Sequence, residues 1–342
     1  MGRYAIRRLL QMIPLMLGIS IIIFLIIQAA PGGPEAMFLE SGRFIDPTII
    51  ESFRKRLGLD QPIYIQYFRW LWAAINGDMG LSFSAARPVT DMILERLPAT
   101  LELMATAFFF AALIAIPLGI YSAIRQYSIL DYFSTGLSFL GIAMPVFWFG
   151  LILQLIFSVK LGWLPTSGRA SAGDAGFVDQ LRHLVLPAVV LALRYIAGWS
   201  RYMRASLLTV MRTDYVLTAR AKGLKEGILL RMQKKFNTNS QAESSTRLRF
   251  FSGVVFGHML KNALIPVVSV MALDLSGLFA GAVITETIFS WPGIGRLFVT
   301  AMFSRDYPLL MGILMMGSFM VVFFNLVADL VYGWLDPRIS YS

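Results

Sequence analysis

The chain has 342 residues, 57% of them hydrophobic and only 15% charged, with a formal net charge of +10. That is more apolar than an ordinary soluble domain, so a bilayer is the expected solvent. Cysteine is absent and the two histidines are His183 and His258, which excludes disulfides, thiolate metal sites and a cysteine nucleophile and limits imidazole chemistry. The positive excess fits basic residues held on the cytoplasmic side of a membrane, and no nucleic-acid partner is expected.

Arg3, Arg7 and Arg8 precede an apolar run from Leu9 to Ala30. As a helix this run rises ~33 Å, enough to cross a ~30 Å hydrocarbon core. A retained first span is expected rather than a cleaved signal peptide, because the run is long and Gln28-Ala29-Ala30 is a poor cleavage site. Residues 31–99 are polar and nearly neutral, with seven Lys/Arg against eight Asp/Glu. An extracytoplasmic segment of short helices fits, with Trp70 and Trp72 as interfacial anchors. Further spans are predicted at 100–124, 133–159, 184–202, 263–287 and 309–334, with Pro117 as a kink and Pro145 as a break. The chain then divides into 1–30 (N-terminus and first span), 31–99, a five-span core over 100–335, and a tail at 336–342. The predicted fold class is an all-α polytopic membrane protein with six transmembrane helices and both termini in the cytoplasm.

Residues 201–262 form the longest basic loop, with 12 Lys/Arg against three Asp/Glu, and so lie inside. Within it, Asp214 to Gly223 reads as a short helix. Asp214 is expected to cap its start and Gly223 its end. Ala219 and Ala221 are small enough for another surface to approach the backbone, and Arg220 and Lys222 supply charge.

Tyr215-Val216-Leu217-Thr218-Ala219-Arg220-Ala221-Lys222-Gly223-Leu224 resembles the coupling loop of permease subunits in binding-protein-dependent ABC importers of the peptide/nickel type. Further motifs resemble the first permease chain of that family in the same order. They are Gly58-Leu59-Asp60-Gln61-Pro62, Gly77-Asp78-Met79-Gly80-Leu81-Ser82, Leu97-Pro98-Ala99-Thr100, Trp291-Pro292-Gly293-Ile294-Gly295-Arg296-Leu297 and Leu335-Asp336-Pro337-Arg338-Ile339. The resemblance covers nearly the whole chain. It implies a type I importer permease in a bacterial or archaeal plasma membrane. It also implies a second homologous permease, two ATP-binding subunits that hold ATP and Mg, and an extracytoplasmic substrate-binding protein. Asp214, Tyr215, Thr218, Ala219, Arg220, Ala221, Lys222 and Gly223 would then contact the ATPase. One departure stands out: Gly223 and Pro266 lie about twice as far apart as is usual in the family, so extra material is expected between Leu230 and Gly257.

Two carboxylates fall within the fifth predicted span. An ionised side chain costs about 3 kcal/mol or more at the bilayer centre, so Asp274 should face the bundle interior, water or a partner. It either lines a translocation path, pairs with Arg194 or is protonated. The family commonly has a neutral amide there, whereas Glu286 matches the family. Both are candidate path residues, and both would serve as proton or cation sites in the rival reading, a secondary transporter or channel. Gly277 and Gly281 suit close helix packing. The chain carries no phosphate-binding Gly-rich loop, no metal-ligand spacing and no recognisable Ser/His/Asp triad. ATP hydrolysis is therefore expected in partner subunits, with no cofactor in this chain, and a membrane-bound hydrolase lacks a credible constellation.

Overall fold

A computed structural model describes residues 2–29, 60–173, 176–221 and 254–335. Among these the regular elements are helices, and an isolated bridge joins Leu81 and Pro88. In chain order the helices are α1 (Gly2–Ala29), α2 (Ile63–Ile75), α3 (Val89–Ile124), α4 (Ile129–Ala143) and α5 (Val146–Leu153, continued by a π-helical segment Gln154–Lys160). They continue with α6 (Phe177–Met211), α7 (Asp214–Ala221), α8 (Val254–Ile288), α9 (Ile294–Phe303) and α10 (Tyr307–Leu335).

Among the described residues five helices contain stretches long and apolar enough to cross a membrane: Ile6–Ala29, Val89–Ile124, Phe177–Met211, Met259–Phe279 and Tyr307–Gly333. Where a further span is expected, α4 and α5 stand at 111° across Met144–Pro145, the form of a broken span or a re-entrant loop. Proline removes an N–H and crowds the preceding turn, which accounts for the break. Pro117 does not interrupt α3, since neighbouring groups within a membrane bundle can re-satisfy a freed carbonyl.

Several helices run beyond the spans read from the sequence. The second span begins at Val89, not at residue 100, and Pro98 lies inside the helix. Its first turns carry Asp91, Glu95 and Arg96, which hid them from an apolar window, yet Val89 and Ile93 are fully buried. The fourth span likewise extends in both directions as α6, through polar ends bearing Asp179, Arg201 and Arg204.

The chain forms two compact units. The first comprises Met1–Met104, Leu153–Pro187 and Ser276–Leu326. Its core gathers Val89, Ile93, Ile294, Leu309, Leu310 and Ile313. A second cluster sets Phe24 of α1 against Tyr67 and Trp70 of α2, with ring centroids 5.5 and 6.0 Å apart. Trp70 is therefore a packing residue, whereas Trp72 stays 71% exposed. The second unit comprises Ala105–Ile152, Ala188–Leu275 and Val327–Ser342. There α3 and α6 meet at Gly119. A Cβ at that position would lie 2.6 Å from both the Met203 Cβ and the Ser200 carbonyl, so only glycine permits the contact. Gly277, expected at a close helix contact, is exposed in the chain.

Candidate coupling arm and the intramembrane carboxylates

The end of α6 turns into α7 through Arg212 and Thr213. Thr213 donates its hydroxyl to the Val210 carbonyl at 2.6 Å, and its own carbonyl accepts the Val216 N–H at 3.0 Å. Asp214 is the first helical residue rather than the cap expected from sequence. Thr213 closes the turn instead. An acidic side chain in the first turn still favours the positive end of the helix dipole.

Val216 is fully buried and seats α7, while Asp214, Tyr215 and Thr218 are exposed. Residues 214, 215 and 218 share one side of a helix at 3.6 residues per turn. Ala219, Arg220 and Ala221 continue the helix, while Lys222, Gly223 and the stretch 230–253 lie outside the described residues. Two hydrogen bonds tie the arm to α8. The Asn262 side-chain amide donates to the Tyr215 hydroxyl at 2.9 Å, and the Ser206 hydroxyl donates to the Ala263 carbonyl at 2.7 Å. A displacement of α7 therefore has a direct route into the fifth span.

Asp274 is half-buried on α8. Its Oδ2 accepts the Trp199 indole N–H at 2.7 Å. That indole is almost wholly buried and packs against Phe108 and Tyr195, with centroids at 5.2 and 5.6 Å. The partner found for Asp274 is thus Trp199 rather than Arg194. One carboxylate oxygen is held in place, and the side chain keeps partial exposure.

Glu286 corrects its reading as a path residue, because it is 0% exposed. The Thr100 hydroxyl donates to Oε1 at 2.7 Å, and the Gly295 and Arg296 N–H groups donate to Oε2 at 2.7 and 3.1 Å. Thr100 Oγ1 in turn accepts the Ile294 N–H at 2.8 Å. These amides open α9, and the first N–H groups of a helix have no partner inside it. Glu286 supplies that partner from α8, together with negative charge at the positive helix end. A Cβ on Gly293 would collide with the Glu286 carboxylate, and one on Gly295 with the Val283 backbone. Trp291 closes the cage by donating its indole N–H to the Ala99 carbonyl at 2.8 Å. Glu286, Leu-Pro-Ala-Thr and Trp-Pro-Gly-Ile-Gly are therefore parts of one structural device. The motif that begins at Trp291 after the fifth span is helical from Ile294 onward.

Asp306 was not singled out from the sequence. It is fully buried between α9 and α10. It accepts the Ser82 and Ser84 hydroxyls at 2.6 and 2.7 Å and the Phe83 and Ser84 N–H groups at 3.1 and 3.0 Å. Burial alone would raise its pKa, but these donors outweigh it and hold the carboxyl below its ordinary value. The Gly-Asp-Met-Gly-Leu-Ser stretch is thereby pinned to the start of the sixth span. Gly77 and Gly80 adopt φ of +84° and +85° in that turn, a region where glycine is favoured.

Two other arrangements carry no chemistry. Ser171, Asp179 and His183 cluster, but Asp179 bonds Ser171 directly and both approach His183 Nε2 at 3.3–3.7 Å, while Nδ1 has no partner among the described residues. A hydrolytic triad needs the acid on the other ring nitrogen. A cavity of about 330 Å³ in the first unit is lined by Ile19, Phe279, Phe298 and Val321, with Thr100 and Ser318 among its polar residues. The Ser318 hydroxyl is committed to the Leu314 carbonyl at 2.8 Å and that of Thr100 to Glu286. Among the described residues no group of three or more His, Cys, Asp or Glu side chains could hold a metal ion.

Five or six apolar helical spans, with a short helix tied to one of them, suit a transport permease. The chain belongs to the family of binding-protein-dependent transport system inner membrane components. Its family model matches residues 115–232 and 252–341, and the companion N-terminal model matches 1–104. The unmatched stretch 233–251 falls where extra material was expected. The oligopeptide transport system permease protein AppB of Bacillus subtilis is 42% identical over 343 residues, covering all of both chains. The dipeptide transport system permease protein DppB of Escherichia coli K12 is 36% identical over 364 residues, and the glutathione transport system permease protein GsiC of an E. coli O6:H1 strain is 36% identical over 342 residues. Both of these alignments also span all of each chain.

Proposed function

We propose that this chain forms half of the translocation path of an ATP-driven peptide importer. It pairs with a second homologous permease, two ATPase subunits that bind ATP and Mg, and a substrate-binding protein outside. Both termini and the 201–262 loop lie in the cytoplasm. The names of full-length relatives, all peptide or glutathione permeases, support the substrate class. The observation that carries the coupling role is the tether of α7 to α8 through Tyr215–Asn262 and Ser206–Ala263. ATP-driven closure of the ATPase pair drags the Asp214–Gly223 segment, α8 tilts with it, and the path alternates its access. Coupling requires that the contacts differ between the two states. A helix socketed in another subunit meets that requirement.

Asp274 is the path residue in this reading. Its carboxylate is oriented by Trp199 and offers a counter-charge to a peptide ammonium. The rival secondary-transporter reading relies on Asp274 and Glu286 together, and the closed cage around Glu286 counts against it.

Purification of the tagged chain in mild detergent, with mass spectrometry of what accompanies it, tests the proposal. The expected outcome is recovery of a second permease and nucleotide-binding subunits, lost on Gly223→Asp, which adds bulk and charge. A chain that purifies alone and moves solute in vesicles without ATP would overturn it.

A further inference from the structure

The arm leading to α7 is clamped to more than α8. Asp131, at the start of α4, is 4% exposed. Arg204 grips it in a two-pronged contact, with Nε to Oδ1 at 3.0 Å and Nη2 to Oδ2 at 3.0 Å. Asp131 Oδ2 also accepts the Tyr127 N–H at 2.9 Å. Tyr127 has φ of +62°, a left-handed conformation that a bulky side chain rarely adopts. Ser128 caps α4 by accepting the Asp131 N–H at 3.3 Å. One carboxylate thus closes the turn between α3 and α4 and receives the guanidinium from α6.

The surrounding packing leaves no slack. Gly119 on α3 lies against Ser200 and Met203, one turn before Arg204. Gly141 on α4 would place a Cβ 3.1 Å from the Ala197 Cβ and 3.3 Å from the Leu193 carbonyl. Arg204 is less than two turns from Ser206 and the end of α6, where the chain enters α7. A planar guanidinium held at two points resists rotation, which a lysine ammonium cannot do.

We propose that the Arg204–Asp131 pair is a coupling strut that carries displacement of α7 into the second and third spans, alongside the Tyr215–Asn262 route into the fifth. This rests on the reading of α7 as the docking helix. Both are positioning residues, since the role argued for each is to hold α4 against α6.

The test uses the assembled importer in proteoliposomes and measures uptake per ATP hydrolysed. Arg204→Lys keeps the charge beside Asp131 and loses the fork, so the complex still assembles and hydrolyses ATP. Uptake per ATP falls roughly 5-fold or more, the range of a typical coupling energy. Asp131→Asn combined with Tyr127→Gly separates strut from turn support. Glycine relieves the left-handed turn, so a purely structural Asp131 would be rescued, whereas a strut stays uncoupled. A wild-type ratio in Arg204→Lys, rescue in the double variant, or loss of the ATPase subunits from Arg204→Lys would each overturn the proposal. Failure of the importer reading itself shows separately, as a wild-type chain that no ATPase subunit accompanies, and the strut falls with it.

Discussion

Glu286 and Asp274 share one helix and one kind of side chain, yet their surroundings are opposite. Glu286 has no exposure and accepts from a hydroxyl and two backbone amides that would otherwise have no partner at the start of α9. Asp274 has one indole donor and remains partly exposed. The difference lies in what else is present. At Glu286 two glycines make room for a backbone to wrap around the carboxylate, and at Asp274 an aromatic wall orients a group that still has an open side. A carboxylate within a membrane helix is thus left partly exposed in one case and enclosed as a structural bolt in the other, and the partners distinguish them.

The sharpest way to break this comparison is Glu286→Ala. It leaves buried donors without acceptors at about 1–3 kcal/mol each. The expected result is loss of folded, monodisperse protein in detergent, and retention of wild-type thermal stability would refute the cage. Asp306→Ala comes next, because it removes the acceptor of four donors from Ser82, Phe83 and Ser84. We expect early proteolysis of the 77–84 stretch, which a limited-digestion time course reads directly.

The same residue gives a pH dependence. The folded Asp306 carboxyl lies below its ordinary value, so its contribution is fully present above the unfolded pKa of ~3.9 and disappears as pH falls through the lower, folded one. Wild-type protein should therefore lose more stability on acidification through that window than Asp306→Asn does, as measured by thermal melts at stepped pH.

Asp274→Asn should leave stability within about 0.5 kcal/mol, because the amide oxygen can still accept from Trp199. Uptake of peptides bearing a free ammonium should fall relative to N-acetylated ones. Unchanged preference in a competition assay would remove Asp274 from the path. The smallest effect is expected for Tyr215→Phe. It loses one exposed hydrogen bond to Asn262, worth about 0.5–1.5 kcal/mol, and should appear as a modest drop in uptake per ATP without loss of subunit assembly.

Local signals carried the broad outline. Apolar run length marked the spans, Pro145 marked the broken one, and basic residues marked the loop that contains α7. They failed at Val89–Pro98, where a half-polar helix buries only Val89 and Ile93, and at Ile294, where a helix begins inside what looks like turn punctuation. Asp306 escaped because its serine partners lie more than 200 positions earlier in the chain. Asp131 escaped because it looked like one charge in a short turn, and its guanidinium partner is 73 positions away.

Hydropathy, charge and proline are properties of neighbouring residues, and they suffice for a polytopic membrane protein with a basic loop between its fourth and fifth spans. The Thr100–Glu286–Gly295 cage, the choice of Trp199 over Arg194 for Asp274, and the Arg204–Asp131 pair could not be read that way. Each joins residues distant in sequence through hydrogen bonds with narrow limits of distance and angle. Only packing decides which side chains meet within those limits, and so which buried charge holds the fold and which is left open to act.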